Sequence, residues 1–236
     1  MFQEYIHLAV GGLLLDQRVY DEQRAAANGL RRGLVLVLLV AFMVAIAALI
    51  GRLGASLASP PLDRIQATVL AGLMELPFYQ RIVETDPNFS TQFHTMYNQY
   101  WQIFSTLDSG NVGAGLVNLF VGPLQSLLGW LLFGLFAHLM ARALGGRGTL
   151  GQTLSCTALA AGANLLTLVA LIPFAQVAGV TLLWLLASYV GVRTAHQLDP
   201  WRSFWATLLG PLVLVLLFSC AACALFFTFG SALGKV

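Results

Sequence analysis

Charge is what this sequence has least of. Asp, Glu, Lys and Arg make up 9% of its residues, against 58% hydrophobic, whereas a water-facing globule runs near 25% charged. So thin a set cannot coat a chain of 236 residues in water. Most of the surface must therefore face lipid. Lysine is nearly missing: Lys235 is the only one, and every other cation is an arginine. A formal net charge of +2 without a basic run gives no sign of a nucleic-acid partner.

Cysteine is scarce as well. Cys156, Cys220 and Cys223 all fall inside apolar runs, which leaves no disulfide framework to read. Cys220 and Cys223 form a C-x-x-C, but Phe218, Leu225 and Phe226 around them give neither the solvent access nor the activating neighbours of a redox dithiol. Small residues for close helix packing is the plainer reading. No carboxylate lies inside a long apolar run, so a relay of membrane-buried acids has nothing to stand on. Signatures of hydrolases, P-loop proteins and zinc proteases are missing too. His7, His94, His138 and His196 sit on separate segments without metal-ligand spacing. The chain therefore reads as non-enzymatic, with no metal or cofactor expected. Its first fifteen residues hold Glu4 and His7 and no basic stretch, so a cleavable signal sequence is not expected either.

What the sequence does have is long apolar runs, and a spanning helix takes about 20 such residues. Runs at about 33–51, 113–141, 152–172, 176–192 and 203–229 predict an all-α membrane protein of about five transmembrane helices. Asn164, Thr153, Thr157 and Thr167 dilute the third run, and the fourth is short. Residues 1–32 read as a cytoplasmic N-terminal segment, with a short helix along the membrane surface, and 33–236 as the membrane domain. With the N-terminus inside, Arg18, Arg24, Arg31, Arg32, Arg142, Arg147, Arg193 and Arg202 fall on the cytoplasmic side. Only Arg52, Arg64, Arg81 and Lys235 fall on the other. That imbalance sets the orientation, with the C-terminus extracytoplasmic.

The long loop 52–112 carries two amphipathic patterns. Leu62, Ile65, Val69, Leu70, Leu73 and Met74 line one helical face, ended by Pro77. Phe89, Phe93, Tyr97, Tyr100 and Phe104 line a second, with Asn88 or Ser90 as its cap. An aromatic face opposite glutamines suits the headgroup boundary and equally suits a partner's docking surface.

Few groups inside the runs carry chemistry. His138 is either an axial ligand to haem or a pigment, through neutral imidazole, or an interfacial side chain one turn from Arg142. Asn118, Gln125 and Asn164 read as interhelix hydrogen bonds. At the inner ends of the last four runs, Arg142, Arg147, Arg193, His196 and Arg202 share one level near Asp199. Such a belt can hold anionic lipid headgroups or a partner, or can simply fix topology.

The stretch Gly145-Gly146-Arg147-Gly148-Thr149-Leu150-Gly151-Gln152-Thr153-Leu154 resembles the entry into the third span of the Yip1 family. Ile172-Pro173, Trp184, Gly191-Val192-Arg193-Thr194-Ala195-His196 and Pro211 follow in that family's order and spacing. Leu159 and Ala163 stand where the family usually carries tyrosine and proline. The short N-terminus is similar to bacterial members and lacks the longer cytosolic region that serves GTPase and trafficking partners in eukaryotic ones. The resemblance implies five spans, a cytoplasmic N-terminus in the cell membrane, and a scaffold or accessory role with lipids and a membrane-protein partner. A transporter or channel for a small solute or lipid is the alternative, and a pigment or haem subunit through His138 a further one. Within the motif, the glycines suit a tight turn with positive φ and Thr149 a helix cap.

Overall fold

The computed structural model describes residues 2–58, 62–107, 112–173 and 175–233, and among them every regular element is a helix. In chain order these are α1 (Phe2–Leu13), α2 (Gln17–Ala25), α3 (Gly29–Ala58), α4 (Leu62–Met74), α5 (Pro77–Thr85), α6 (Pro87–Leu107), α7 (Val112–Ala143) and α8 (Leu150–Thr157). A 3-10 segment (Ala158–Leu171) continues α8, and α9 (Val180–His196) and α10 (Pro200–Leu233) follow. Helices are what lipid demands, since each backbone group must be satisfied within its own segment.

Among the described residues, three stretches are long and apolar enough to cross a bilayer: Gly29–Leu57, Gly115–Ala143 and Leu150–Leu171. These answer the first three expected runs. The fourth and fifth also fold as helices. At 17 residues α9 is shorter, spanning about 25 Å at 1.5 Å per residue. Helix α10 runs unbroken through Pro211, and α7 through Pro123.

The third run, most diluted by polar residues, is the centre of the bundle. α3, α7, α9, α1 and α2 all pack around α8 and its 3-10 continuation. Long 3-10 runs are uncommon because side chains at i and i+3 eclipse. Here Ala158, Ala160, Ala161, Gly162 and Ala163 offer almost nothing to collide, and all are buried. Neighbouring helices bring glycines up to this strut. A Cβ on Gly191 would lie 2.9 Å from the Cys156 carbonyl oxygen, and one on Gly51 would collide with that of Ala170.

The N-terminal segment docks against the bundle. Asp16 Oδ1 caps α2 by accepting from Arg18 N at 3.0 Å, and Leu15 turns the chain at φ +57°. Leu8, Ala9, Val19 and Tyr20 then pack into the main core with Leu36, Val40 and Leu159. Gly12 and Gly162 let α1 cross the 3-10 segment almost backbone to backbone: a side chain on either would collide with a carbonyl oxygen, of Leu159 or Ala9. The Tyr20 hydroxyl donates to the Ala187 carbonyl at 3.1 Å, and Gln17 Nε2 donates to Thr194 Oγ1 at 2.8 Å. The sequence reading missed this docking because α2 is strongly polar over most of its circumference.

In the long loop, Pro77 ends α4 as expected and also opens α5, where its missing N–H costs nothing. The cap of α6 is neither Asn88 nor Ser90 but Asp86, whose Oδ1 accepts from Asn88 N at 2.9 Å. Tyr79, Phe89, Phe93 and Tyr97 form an aromatic core between α5 and α6, with Tyr79 and Phe93 edge to face at 5.2 Å. Tyr97 also donates to the Gln66 carbonyl of α4 at 2.7 Å. Three rings of the expected interfacial face, Phe89, Phe93 and Tyr97, therefore turn inward. Tyr100 points outward, and the side chain of Phe104 lies outside the described residues.

Candidate functional site

The family-like turn between α7 and α8 organises the site. Gly145, at φ +92°, is the turn residue that needs left-handed backbone. Gly146 and Gly148 serve close approach instead. A Cβ on Gly146 would lie 2.5 Å from His196 Nδ1, and one on Gly148 would collide with the Ala195 carbonyl. The turn is thus pressed against the end of α9, where Arg147 N donates to the His196 carbonyl at 3.2 Å. Thr149 caps α8 in a reciprocal box with Gln152, as the sequence suggests.

This packing joins two histidines that lie 58 positions apart. His138 Nδ1 is 3.3 Å from His196 Nε2, with ring centroids 5.1 Å apart. Thr153 Oγ1 lies 3.0 Å from the first nitrogen, 2.8 Å from the second and 3.0 Å from the Thr149 carbonyl. One hydroxyl proton cannot serve three acceptors, so at least one imidazole must donate. His196 Nδ1 is buried without a partner. A bare lone pair is tolerated there better than an orphan N–H, which places the His196 proton on Nε2, toward Thr153. Burial of the His196 ring, with His138 beside it, favours the neutral imidazole.

Of the expected belt, Arg142, Arg147, Arg193 and Arg202 are exposed, while His196 is 1% exposed and belongs to the buried cluster. Arg193 and His196, three apart on α9, are turned differently, one outward and one inward. Arg142 donates to the Gly146 carbonyl at 3.4 Å. Arg202 pairs with Asp199 at 3.1 Å and reaches the Leu144 carbonyl at 3.5 Å. Arg142 and Arg202 therefore brace the turns, and all four arginines present positive charge outward.

His138 is held through Nδ1 within this cluster. Two imidazoles and one hydroxyl at these distances resemble a partial metal face, but Arg142 bears on both rings and opposes a cation. Among the described residues no group of three His, Cys, Asp or Glu could hold a metal ion. The Thr153 hydroxyl lies beside both imidazoles, but it is fully buried and also bonded to the Thr149 carbonyl, so it faces no substrate-sized opening. The chemistry of the site is that of a neutral polar lock between α7, α8 and α9, ringed by exposed guanidinium groups. Thr153 is the member that residue type alone did not single out. Its signal was a threonine one turn into a capped helix, between two histidine-bearing segments.

A helical bundle with, among the described residues, three apolar helices long enough to span, a central strut and a glycine turn locked by a buried and a half-buried histidine defines a multi-helix integral membrane protein. The Yip1 domain model matches residues 12–222, and the chain belongs to the Yip1 family. Neither a search of curated proteins nor one of solved structures finds a match.

Proposed function

We propose that this Yip1-family protein is non-enzymatic and acts by binding, as a scaffold or accessory subunit of a membrane assembly. The observation that carries this reading is the double-sided character of α4–α6. Tyr79, Phe89, Phe93 and Tyr97 already supply that unit with a core, yet Phe78, Ile82 and Met96 remain exposed, Met96 at 62%. Apolar surface left outside a completed core marks a contact with lipid or with another protein. A membrane-protein partner on this face, with lipids around it, is the reading adopted. Arg142, Arg147, Arg193 and Arg202 at the bundle end suit anionic headgroups, each contact contributing about 1 kcal/mol near the surface.

The topology that goes with this role is five spans, with α9 and α10 as the fourth and fifth. The N-terminus is cytoplasmic and the C-terminus extracytoplasmic in a bacterial cytoplasmic membrane. Arginine placement supports that orientation. So does the bond from Gln17 to Thr194, which keeps the N-terminal helices at the end of the bundle that carries Arg193.

The test is a gentle-detergent pulldown of tagged protein from its native membrane, with mass spectrometry and an absorbance spectrum, on wild type and on Met96→Glu. A stoichiometric partner lost in the variant is the expected result. A partner-free, colourless wild-type protein would overturn it, and visible absorbance would turn attention to His138 as a pigment or haem ligand.

A further inference from the structure

Between α3, α7, the 3-10 segment and α9 lies a cavity of about 330 Å³, open to the outside where Ser126, Gly129 and Thr181 are exposed. Trp130 and Trp184 wall it, Val40 contributes apolar surface, and Ser126, Asn164 and Thr181 add polar groups. Ser126 and Trp130 fall midway along Gly115–Ala143, about 20 Å from either end at 1.5 Å per residue, whereas Thr181 stands at the start of α9, so the space runs from mid-bundle toward that end. The Phe133–Trp184 pair, edge to face at 4.8 Å, separates it from the histidine cluster.

Asn164 is the group that needs an explanation. Its carbonyl accepts from Thr167 Oγ1 at 2.6 Å, but its side-chain amide makes no hydrogen bond among the described residues. The Ser126 and Thr181 hydroxyls are equally without partners there, whereas Thr157, also on the cavity wall, is satisfied by the Thr153 carbonyl at 2.8 Å. Ser126 and Thr181 stand exposed at the mouth of this space, while Asn164 is half-buried. An amide held there without a protein partner is costly in hydrocarbon, and a bound polar head would satisfy it.

We propose that this cavity is a binding site for a neutral amphiphile whose head carries hydroxyl or carbonyl oxygens. The volume is at the lower end of that of ligand pockets and corresponds to about eleven water molecules, too large for one bridging water. No charged residue lines it, so a phosphate or carboxylate would enter without a counterion. The two indoles suit a flat or aliphatic body, and Asn164 supplies one donor pair and one acceptor for the head. The earlier reading of Asn164 as an interhelix hydrogen bond gives way, since the bundle offers it no partner. The site is independent of any partner on α4–α6.

The test uses tryptophan quenching. The chain has five tryptophans, and replacing Trp101, Trp201 and Trp205 by phenylalanine leaves only the two that wall the cavity. Dibromostearyl alcohol, titrated into this protein in detergent, should quench saturably. Dibromostearate, which carries a carboxylate, should quench only by partition. Asn164→Leu should weaken alcohol binding about tenfold, as expected for one lost hydrogen bond. Its melting temperature should equal or exceed that of the parent, because an unpaired amide has been removed. Ser126→Leu, which fills the space, should abolish saturable quenching. Equal quenching by both probes, unsaturable quenching throughout as from a merely water-filled space, or a lowered melting temperature in Asn164→Leu would each overturn the proposal.

Discussion

His138 Nδ1 and His196 Nε2 meet at 3.3 Å across two helices, with Thr153 Oγ1 within 3.0 Å of both. The contact ties α7 to the end of α9 through the first turn of α8. It has consequences for pH dependence. His196 is buried and its Nδ1 has no partner, so a second ring proton would be an unpaired buried N–H in the folded chain and a solvated one in the unfolded chain. Acid therefore favours unfolding through this group. The melting temperature in detergent should show a fall from pH 8 to pH 4. His196→Gln should flatten it. An unchanged slope in the variant would show that other groups carry the acid sensitivity.

Thr153, fully buried, should matter more than a threonine at a helix start usually does. Thr153→Val keeps the shape and removes the hydroxyl that both imidazoles face, leaving the buried His196 Nε2 without its 2.8 Å contact. The expected loss is about 1–3 kcal/mol, and Thr153→Ser should restore most of it. Equal losses in the two variants, read by melting temperature, would assign the effect to the methyl group.

Five apolar runs were legible in the sequence, and the helices fall on them within a few residues, because an uninterrupted apolar stretch has no other way to satisfy its backbone. Thr149 as a cap and Gly145 as a left-handed turn were legible too, since each depends only on its immediate neighbours. The histidine pair was not. His138 and His196 lie on different helices, and only the pressing of Gly146 and Gly148 against the end of α9 brings them together. The aromatic stripe of α6 was found at the correct period, but periodicity cannot say what a face packs against. Tyr79, on a short helix that the sequence reading did not separate, takes up much of it. The 3-10 geometry of Ala158–Leu171 was also hidden: a run of alanines serves an α-helix equally well, and tertiary contacts decide.

The turn between α7 and α8 gives a sharper local prediction. Gly145 is the only residue of that turn with positive φ, at +92°, and its built Cβ would meet nothing closer than 3.5 Å. Gly145→Ala should thus cost about 1–2 kcal/mol from backbone strain alone, with little disturbance of packing. Gly146→Ala should cost more, because its Cβ would press on His196 and on the Ala141 carbonyl. Equal melting temperatures for the two variants would contradict the division of labour between these adjacent glycines.

The N-terminal helices offer the most direct structural test. Gly12 and Gly162 face carbonyl oxygens of the opposing segment at a backbone crossing, a spacing that no side chain can enter without moving α1 away from the 3-10 segment. Gly162→Leu should therefore release α1 and α2 while α3, α7 and α10 keep their own packing. Amide exchange over residues 2–25 should rise steeply, with slower change in α7, since a locally detached unit opens with far less free energy than the whole bundle. Tyr20→Phe removes only the bond to the Ala187 carbonyl, 3.1 Å long, and should produce a smaller rise corresponding to about 0.5–1.5 kcal/mol. The ordering of the two variants is the discriminating result. Were Tyr20→Phe to release the segment as fully as Gly162→Leu, the hydrogen bond rather than the close glycine crossing would be what holds it. Were neither to change exchange over 2–25, the docking of α1 and α2 into the bundle would be wrong.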